Sequence, residues 1–151
     1  MLFRSHIALA RADGVDVAIA TAAVADWRPA ERFAHKVKKS EGADTLALER
    51  TPDILAALGA RKNGTFLVGF AAETRDVETY GREKLAAKGL DAIAVNDVSS
   101  DGIGFGTGEN ELVVLWPDGG REHLGRGAKF VLARRMWETL ARVRAIRAKT
   151  Q

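Results

Sequence analysis

Three short apolar runs, set apart by segments of helix length, constrain this chain more than any other feature. Val15-Asp16-Val17-Ala18-Ile19-Ala20, Thr65-Phe66-Leu67-Val68-Gly69-Phe70 and Asp91-Ala92-Ile93-Ala94-Val95 are apolar nearly throughout. Continuous rather than alternating apolar character marks strands covered on both faces. Between the second and third runs a polar helix is expected from about Asp76 to Lys88, stopped by Gly89. Between the first and second, Thr51-Pro52-Asp53 reads as a helix start: Thr51 can cap, Pro52 fits the first turn and Asp53 favours the positive dipole end. That helix runs to about Lys62, and Asn63-Gly64 turns the chain into the next strand. Leu46-Ala47-Leu48 predicts a further short strand, and Leu2 to Ala12 a short helix ended by Asp13-Gly14. The order is β-loop-β-α-β-α-β. Right-handed crossovers between parallel strands make this a doubly wound α/β sheet.

The C-terminal third reads differently. Gly102-Ile103-Gly104-Phe105-Gly106-Thr107-Gly108 invites a dinucleotide-binding reading but fails it. No frame gives G-x-G-x-x-G, and the stretch leads into strand-like Glu111 to Trp116 rather than opening a helix, so it is expected to be a loop. An NAD-linked reductase loses its main support with that motif. Pro117-Asp118-Gly119-Gly120 is a turn that folds His123-Leu124 back as an antiparallel hairpin. A closing helix from about Ala128 to Lys149 carries Phe130, Ala133, Trp137, Leu140, Val143 and Ile146 at helical spacing, which predicts that face as core. Arg134, Arg135, Arg142, Arg144 and Arg147 are then a solvated face.

With 151 residues, one domain spanning 1–151 is expected, and the formal charge of +3 is too small for the basic stripe of a nucleic-acid binder. Small anions are better-matched partners. The absence of cysteine excludes disulfides, thiolate metal sites and a cysteine nucleophile within the sequence. No apolar run approaches the roughly 20 residues of a membrane span, and the opening residues have no signal-peptide layout, so neither membrane nor nucleic acid is expected as a partner and a cytoplasmic location is.

Chemistry concentrates after the first run. Ala22-Ala23-Val24-Ala25-Asp26 closes that strand and Lys36-Val37-Lys38-Lys39 follows within a loop's length. A carboxylate and several lysines outside the carboxyl end of a strand suit a polyphosphate, although the same residues also describe a solvated loop. Ala20, Thr21 and Ala22 are small enough for close backbone approach to a ligand. Pro52, Asp53, Ile54 and Leu55 offer a helix N-terminus whose free N–H groups can meet an anion. Lys84 and Lys88 stand i, i+4 on one helix face, close enough to act on one polyanion, although such a pair on a polar helix by itself reads as a solvated face. Phe70 alone reads as core. His6, His35 and His123 have no metal-ligand spacing and receive no role.

Six segments then carry a resemblance in order: Ala22 to Asp26, Lys36 to Lys39, Thr51-Pro52-Asp53-Ile54-Leu55, Gly69-Phe70-Ala71-Ala72-Glu73-Thr74, Lys84-Leu85-Ala86-Ala87-Lys88 and Asn96-Asp97-Val98. Together they resemble the bacterial phosphopantothenate–cysteine ligase, the second activity of the bifunctional coenzyme A biosynthesis flavoprotein. The resemblance covers roughly Val15 to Trp116. It implies a Rossmann-like, three-layer α/β domain with a mostly parallel sheet and a C-terminal antiparallel hairpin. It also implies an enzyme that uses CTP and Mg²⁺ to turn the carboxylate of 4′-phosphopantothenate into an acyl-cytidylate, which L-cysteine's amine attacks.

By the same resemblance Lys36 and Lys84 are catalytic, with Lys38 and Lys39 as neighbouring alternatives to Lys36. Ala20, Thr21, Ala22, Asp26, Pro52, Asp53, Ile54, Leu55, Phe70 and Lys88 join them in nucleotide binding, and Asp26 holds the metal. A homodimer is implied, fused to or associated with an FMN-dependent decarboxylase, with no flavin expected in this chain. Family members begin with a strand, a glycine- and threonine-containing turn and an Asn-Ser-Ser-Gly-Lys segment that this sequence does not show. The resemblance therefore implies that the chain corresponds to the C-terminal two-thirds of the ligase domain, with the N-terminal part expected to be missing. The rival from another class is a catalytically incomplete nucleotide-binding or dimerisation module.

Overall fold

The computed structural model describes residues 14–36, 38, 45–99 and 108–149. In chain order its elements are β1 (Val17–Ala20), β2 (Trp27–Pro29), β3 (Leu48–Arg50), α1 (Ile54–Arg61), β4 (Phe66–Glu73), α2 (Val77–Ala87), β5 (Ala92–Asp97), β6 (Glu109–Leu115), β7 (Arg121–Ala128) and α3 (Lys129–Ala148). They form two compact units: residues up to Ala22 with those from Ile54 onward, and Ala23–Asp53.

The larger unit is a five-stranded sheet in the order β1-β4-β5-β6-β7. β1 and β5 flank β4 in parallel, with Val17 opposite Phe66 and Val68 opposite Ala92. β6 and β7 extend the sheet antiparallel. Strand alternation divides the core in two. Phe66, Val68, Ala92, Ala94, Leu112, Val114 and Leu124 pack with Leu132, Met136, Leu140 and Val143 of α3. Leu67, Ala71, Ile93, Val95, Val113 and Leu115 pack with Leu58 of α1 and Leu85 of α2. The result is the expected three-layer α/β architecture, with a parallel part and a C-terminal antiparallel hairpin. The hairpin turns at Asp118 (φ 64°) and Gly119 (φ 78°). Positive φ at both central residues is the turn whose twist matches the flanking strands, and Asp-Gly is suited to it.

Three sequence expectations change. The strand read at Leu46 to Leu48 falls two residues later, as β3 (Leu48–Arg50), and it pairs antiparallel with β2 in the smaller unit rather than joining the main sheet. Three residues at its core, all exposed, bury too little to enter a sheet covered on both faces. Thr51 does not cap α1: its hydroxyl donates to the Ala25 carbonyl and its N–H to the Asp26 carbonyl at 2.9 Å, closing the ribbon. The third change is the buried face of α3. Phe130 (83% exposed), Trp137 (53%) and Ile146 (62%) point outward, as does Ala133, while Leu132, Met136, Thr139, Leu140 and Val143 are buried. The helix begins at the residue after β7 ends, with the Lys129 N–H donated to Gly108 O at 3.2 Å. No connecting loop is available to rotate it, so the strand's exit sets which stripe meets the sheet. Thr139 is tolerated inside because its hydroxyl donates to Arg135 O at 3.0 Å. The helix read over Leu2 to Ala12 and most of the loop read over Gly102 to Gly108 lie outside the described residues.

In the smaller unit, Trp27 faces Arg50, Arg28 faces Glu49 and Pro29 faces Leu48. Arg28 and Glu49 form an ion pair, and the Arg50 guanidinium lies 4.7 Å from the centre of the Trp27 ring. These cross-strand pairs, with Ala30 N–H donated to Ala47 O at 2.9 Å, hold a ribbon too short to be stable on strand pairing alone.

Candidate functional site

Ligands of doubly wound sheets bind outside the carboxyl ends of the parallel strands. In the larger unit those ends are Ala20, Glu73 and Asp97. Ala20 pairs with Gly69, and Thr21 and Ala22 leave the sheet exposed, so backbone there is open to close approach. Glu73 pairs with Asp97, and its carbonyl accepts the Val98 N–H at 2.9 Å. Asp97 turns the chain: its Oδ1 accepts the Ser99 hydroxyl at 2.6 Å and the Ser99 N–H at 2.9 Å. Those two bonds hold its carboxyl below the usual aspartate value, against a smaller opposing effect of burial. Beside it Asn96 is buried, with Oδ1 accepting the Glu111 N–H at 3.3 Å.

Lys84 lies on the exposed side of α2, and its ammonium pairs with the Glu73 carboxylate. A cation is thereby held at the C-terminal end of β4. Lys88 caps the C-terminus of the same helix, one turn further from the strand ends, and its N–H donates to Lys84 O at 3.1 Å. Ile54 and Leu55 open α1, partly buried against the Leu58–Leu85 cluster, and their backbone N–H groups have no partner within the helix. Phe70 is partly buried on the other side of the sheet, against the cluster that packs with α3. The structure therefore brings Lys84 and Lys88 onto one layer and sets the Phe70 ring on the opposite one.

In the smaller unit Asp26 is exposed just ahead of β2. Pro52 and Asp53 follow β3, and Lys36 and Lys38 are exposed in the long connection between its two strands; Lys39 lies outside the described residues. Among the described residues no three His, Asp or Glu side chains gather into a metal site.

Sequence reasoning gave Glu73 no role. Strand alternation puts Ala71 and Glu73 on one face, and only the structure shows that α2 covers that face. A cavity of about 280 Å³ opens elsewhere, lined by Gly14, Ala18, Leu58, Arg61, Lys62 and Thr65 among others. It sits at the C-terminal end of α1, where the helix dipole disfavours an anion, and Lys62 is already paired with Asp91.

Fold and strand-end geometry define the class: a three-layer, Rossmann-like α/β domain with a cation held on the carboxyl side of its parallel strands. The chain belongs to the family described as the DNA/pantothenate metabolism flavoprotein C-terminal domain, whose model matches residues 5–143. It is 52% identical over 112 residues to the coenzyme A biosynthesis bifunctional protein CoaBC of Bacillus subtilis (strain 168), covering 74% of this chain and 28% of that protein. The protein of that name from Escherichia coli (strain K12) is 43% identical over 108 residues, covering 69% of this chain and 27% of the relative. A crystal structure of the C-terminal domain of a CoaBC protein superposes with a TM-score of 0.69 at 31% identity, covering 94% of this chain and 62% of that one. A second, from Streptococcus pneumoniae, is similar in fold alone, with a TM-score of 0.67 at 16% identity. The chain spans little more than a quarter of the curated relatives' length.

Proposed function

We propose that this chain carries the nucleotide-binding part of a CTP-dependent phosphopantothenate–cysteine ligase. The observation that carries the reading is the Lys84 ammonium at the C-terminal end of β4, in a chain that belongs to the pantothenate-metabolism family. Forming an acyl-cytidylate sets a carboxylate oxygen in line with the α-phosphorus and expels pyrophosphate; cysteine's amine then displaces CMP to give the amide. The nucleotide brings about four negative charges, so the protein has to supply cations and positioning rather than a covalent nucleophile. Lys84 and Lys36 supply charge to the triphosphate, with Lys38 and Lys39 as alternatives to Lys36 and Lys88 supporting Lys84. Asp26 orients Mg²⁺, which when bound neutralises phosphate charge. The backbone of Ala20, Thr21 and Ala22 lets the nucleotide approach, and the first-turn N–H groups following Pro52 and Asp53, those of Ile54 and Leu55, read a base edge or an anion. Phe70 borders the nucleotide only with the part of its ring that the core leaves open.

Titration calorimetry tests this directly. Mg²⁺·CTP should bind more tightly than Mg²⁺·ATP, and equal binding of the two would contradict a CTP site. The alternative reading is a nucleotide-binding module without turnover. Adding CTP, Mg²⁺ and 4′-phosphopantothenate separates the two: pyrophosphate release marks the ligase, and CTP binding with release at background marks the module.

A further inference from the structure

We propose that Glu73 is a positioning residue for Lys84, its carboxylate fixing the lysine ammonium at the C-terminal end of β4 with the remaining N–H bonds turned toward a nucleoside triphosphate. The inference rests on the nucleotide reading of Lys84 and adds to it the residue that aims the cation. Glu73 is anchored at both levels. Its backbone pairs with Asp97 and accepts the Val98 N–H, and its side chain is only 15% exposed. The root of Lys84 is equally fixed. α2 lies so close to the sheet that a Cβ on Gly81 would stand 2.7 Å from Val95 Cγ2 and 2.8 Å from Leu115 Cδ1, and Leu85 is buried beneath it.

Between those two fixed points runs a flexible four-carbon stem, 45% exposed, whose ammonium would otherwise sample many rotamers. Glu73 removes that freedom at the cost of one of three N–H donors. A carboxylate so shielded from water is poorly placed to lose its cation, because the unpaired charge would have to be solvated by whatever remains. The ammonium therefore keeps Glu73 and meets the ligand with its other two donors. This has a sign. If Glu73 only neutralised Lys84, removing its charge would strengthen binding of a polyanion; as a positioner, removing it weakens binding.

A double-mutant cycle on the whole chain, read by calorimetry with Mg²⁺·CTP, decides between them. Glu73→Gln keeps the shape and loses the charge, and should weaken CTP by roughly three- to tenfold, the scale of immobilising one rotamer-rich side chain. In a Lys84→Ala background the same substitution should change nothing further. Glu73→Asp, which keeps the charge but withdraws it by one methylene, should also weaken binding, and thermal melting of each variant checks that the fold persists. Binding unchanged or tightened in Glu73→Gln, with the loss in Lys84→Ala intact, overturns the inference alone. An equal loss from Glu73→Gln with and without Lys84 also overturns it, since Glu73 would then act through the fold. Full CTP affinity in Lys84→Ala overturns the nucleotide reading itself, and the role of Glu73 with it.

Discussion

Asp91 shows how much one side chain can organise. Its Oδ2 accepts the Leu67 N–H at 2.7 Å and the Lys62 ammonium at 2.8 Å, and its Oδ1 pairs with Arg147 at 2.8 Å. Residues that follow α1, begin β4 and end α3 thus meet on one carboxylate that is 7% exposed. Removing it leaves a buried N–H without a partner and two cations facing each other. Asp91→Ala should therefore cost about 2–4 kcal/mol, measurable by urea unfolding; a loss under about 0.5 kcal/mol, the scale of an ordinary surface change, would contradict the hub. Asp97 makes a smaller, pH-linked contribution. The Ser99 bonds favour its charged form, so its folded pKa lies below its unfolded one. The stability they add is present above the unfolded value near 3.9 and lost as pH falls through the lowered folded value. Ser99→Ala should be slightly less stable than wild type at pH 7, with the gap closing at strongly acidic pH; a gap that widened on acidification would reverse the assignment. Neither role was legible in the sequence, where Asp91 read as the polar start of a strand and Asp97 as its end. Both depend on partners 24 or more residues away or on a local turn that periodicity does not register.

Elements were read more reliably than their orientation. The strands at Val17–Ala20, Phe66–Glu73 and Ala92–Asp97 and the helices at Ile54–Arg61 and Val77–Ala87 follow apolar runs and stop signals that need no tertiary information. The rotation of α3 did need it. The expected stripe holds at Leu140 and Val143 and fails at Phe130, Ala133, Trp137 and Ile146; Leu132 and Met136 complete the buried face, which the junction with β7 selects. Leu140→Ala should accordingly cost about 2–5 kcal/mol, whereas Trp137→Ala should stay within about 0.5 kcal/mol. The reverse order in thermal or chemical unfolding would restore the aromatic stripe to the core. α1 has a similar tertiary constraint at Gly59, where an added Cβ would lie 1.8 Å from the Lys88 carbonyl oxygen. Backbone cannot step aside as a side-chain tip can, so Gly59→Ala should destabilise by about 1–3 kcal/mol, the cost of overpacking, despite alanine's better helix propensity. Unchanged or raised stability would mean that the two segments are not in contact.

For the whole molecule, family, layers and the hairpin were readable because six ordered segments and three buried strands specify them together. The ribbon of Ala23–Asp53 was not, since it is held by Trp27 on Arg50, Arg28 on Glu49 and Thr51 on Ala25 rather than by a hydrophobic pattern. The candidate site lies in both categories: the family resemblance points to Lys84, whose spacing alone reads as a solvated face, while its pairing with Glu73 became visible only once α2 lay on β4. The central claim is that a triphosphate is gripped by named lysines and not by the general positive charge of the chain. Calorimetric titration of Mg²⁺·CTP into Lys36→Ala, Lys84→Ala and Arg142→Ala tests it most directly, because Arg142 is an exposed cation occupied by Glu122. Each lysine variant should lose about 1.5–3 kcal/mol of binding, the scale of a charge-assisted hydrogen bond, and Arg142→Ala should bind as wild type does. Equal losses in all three, or none in any, would contradict the assignment.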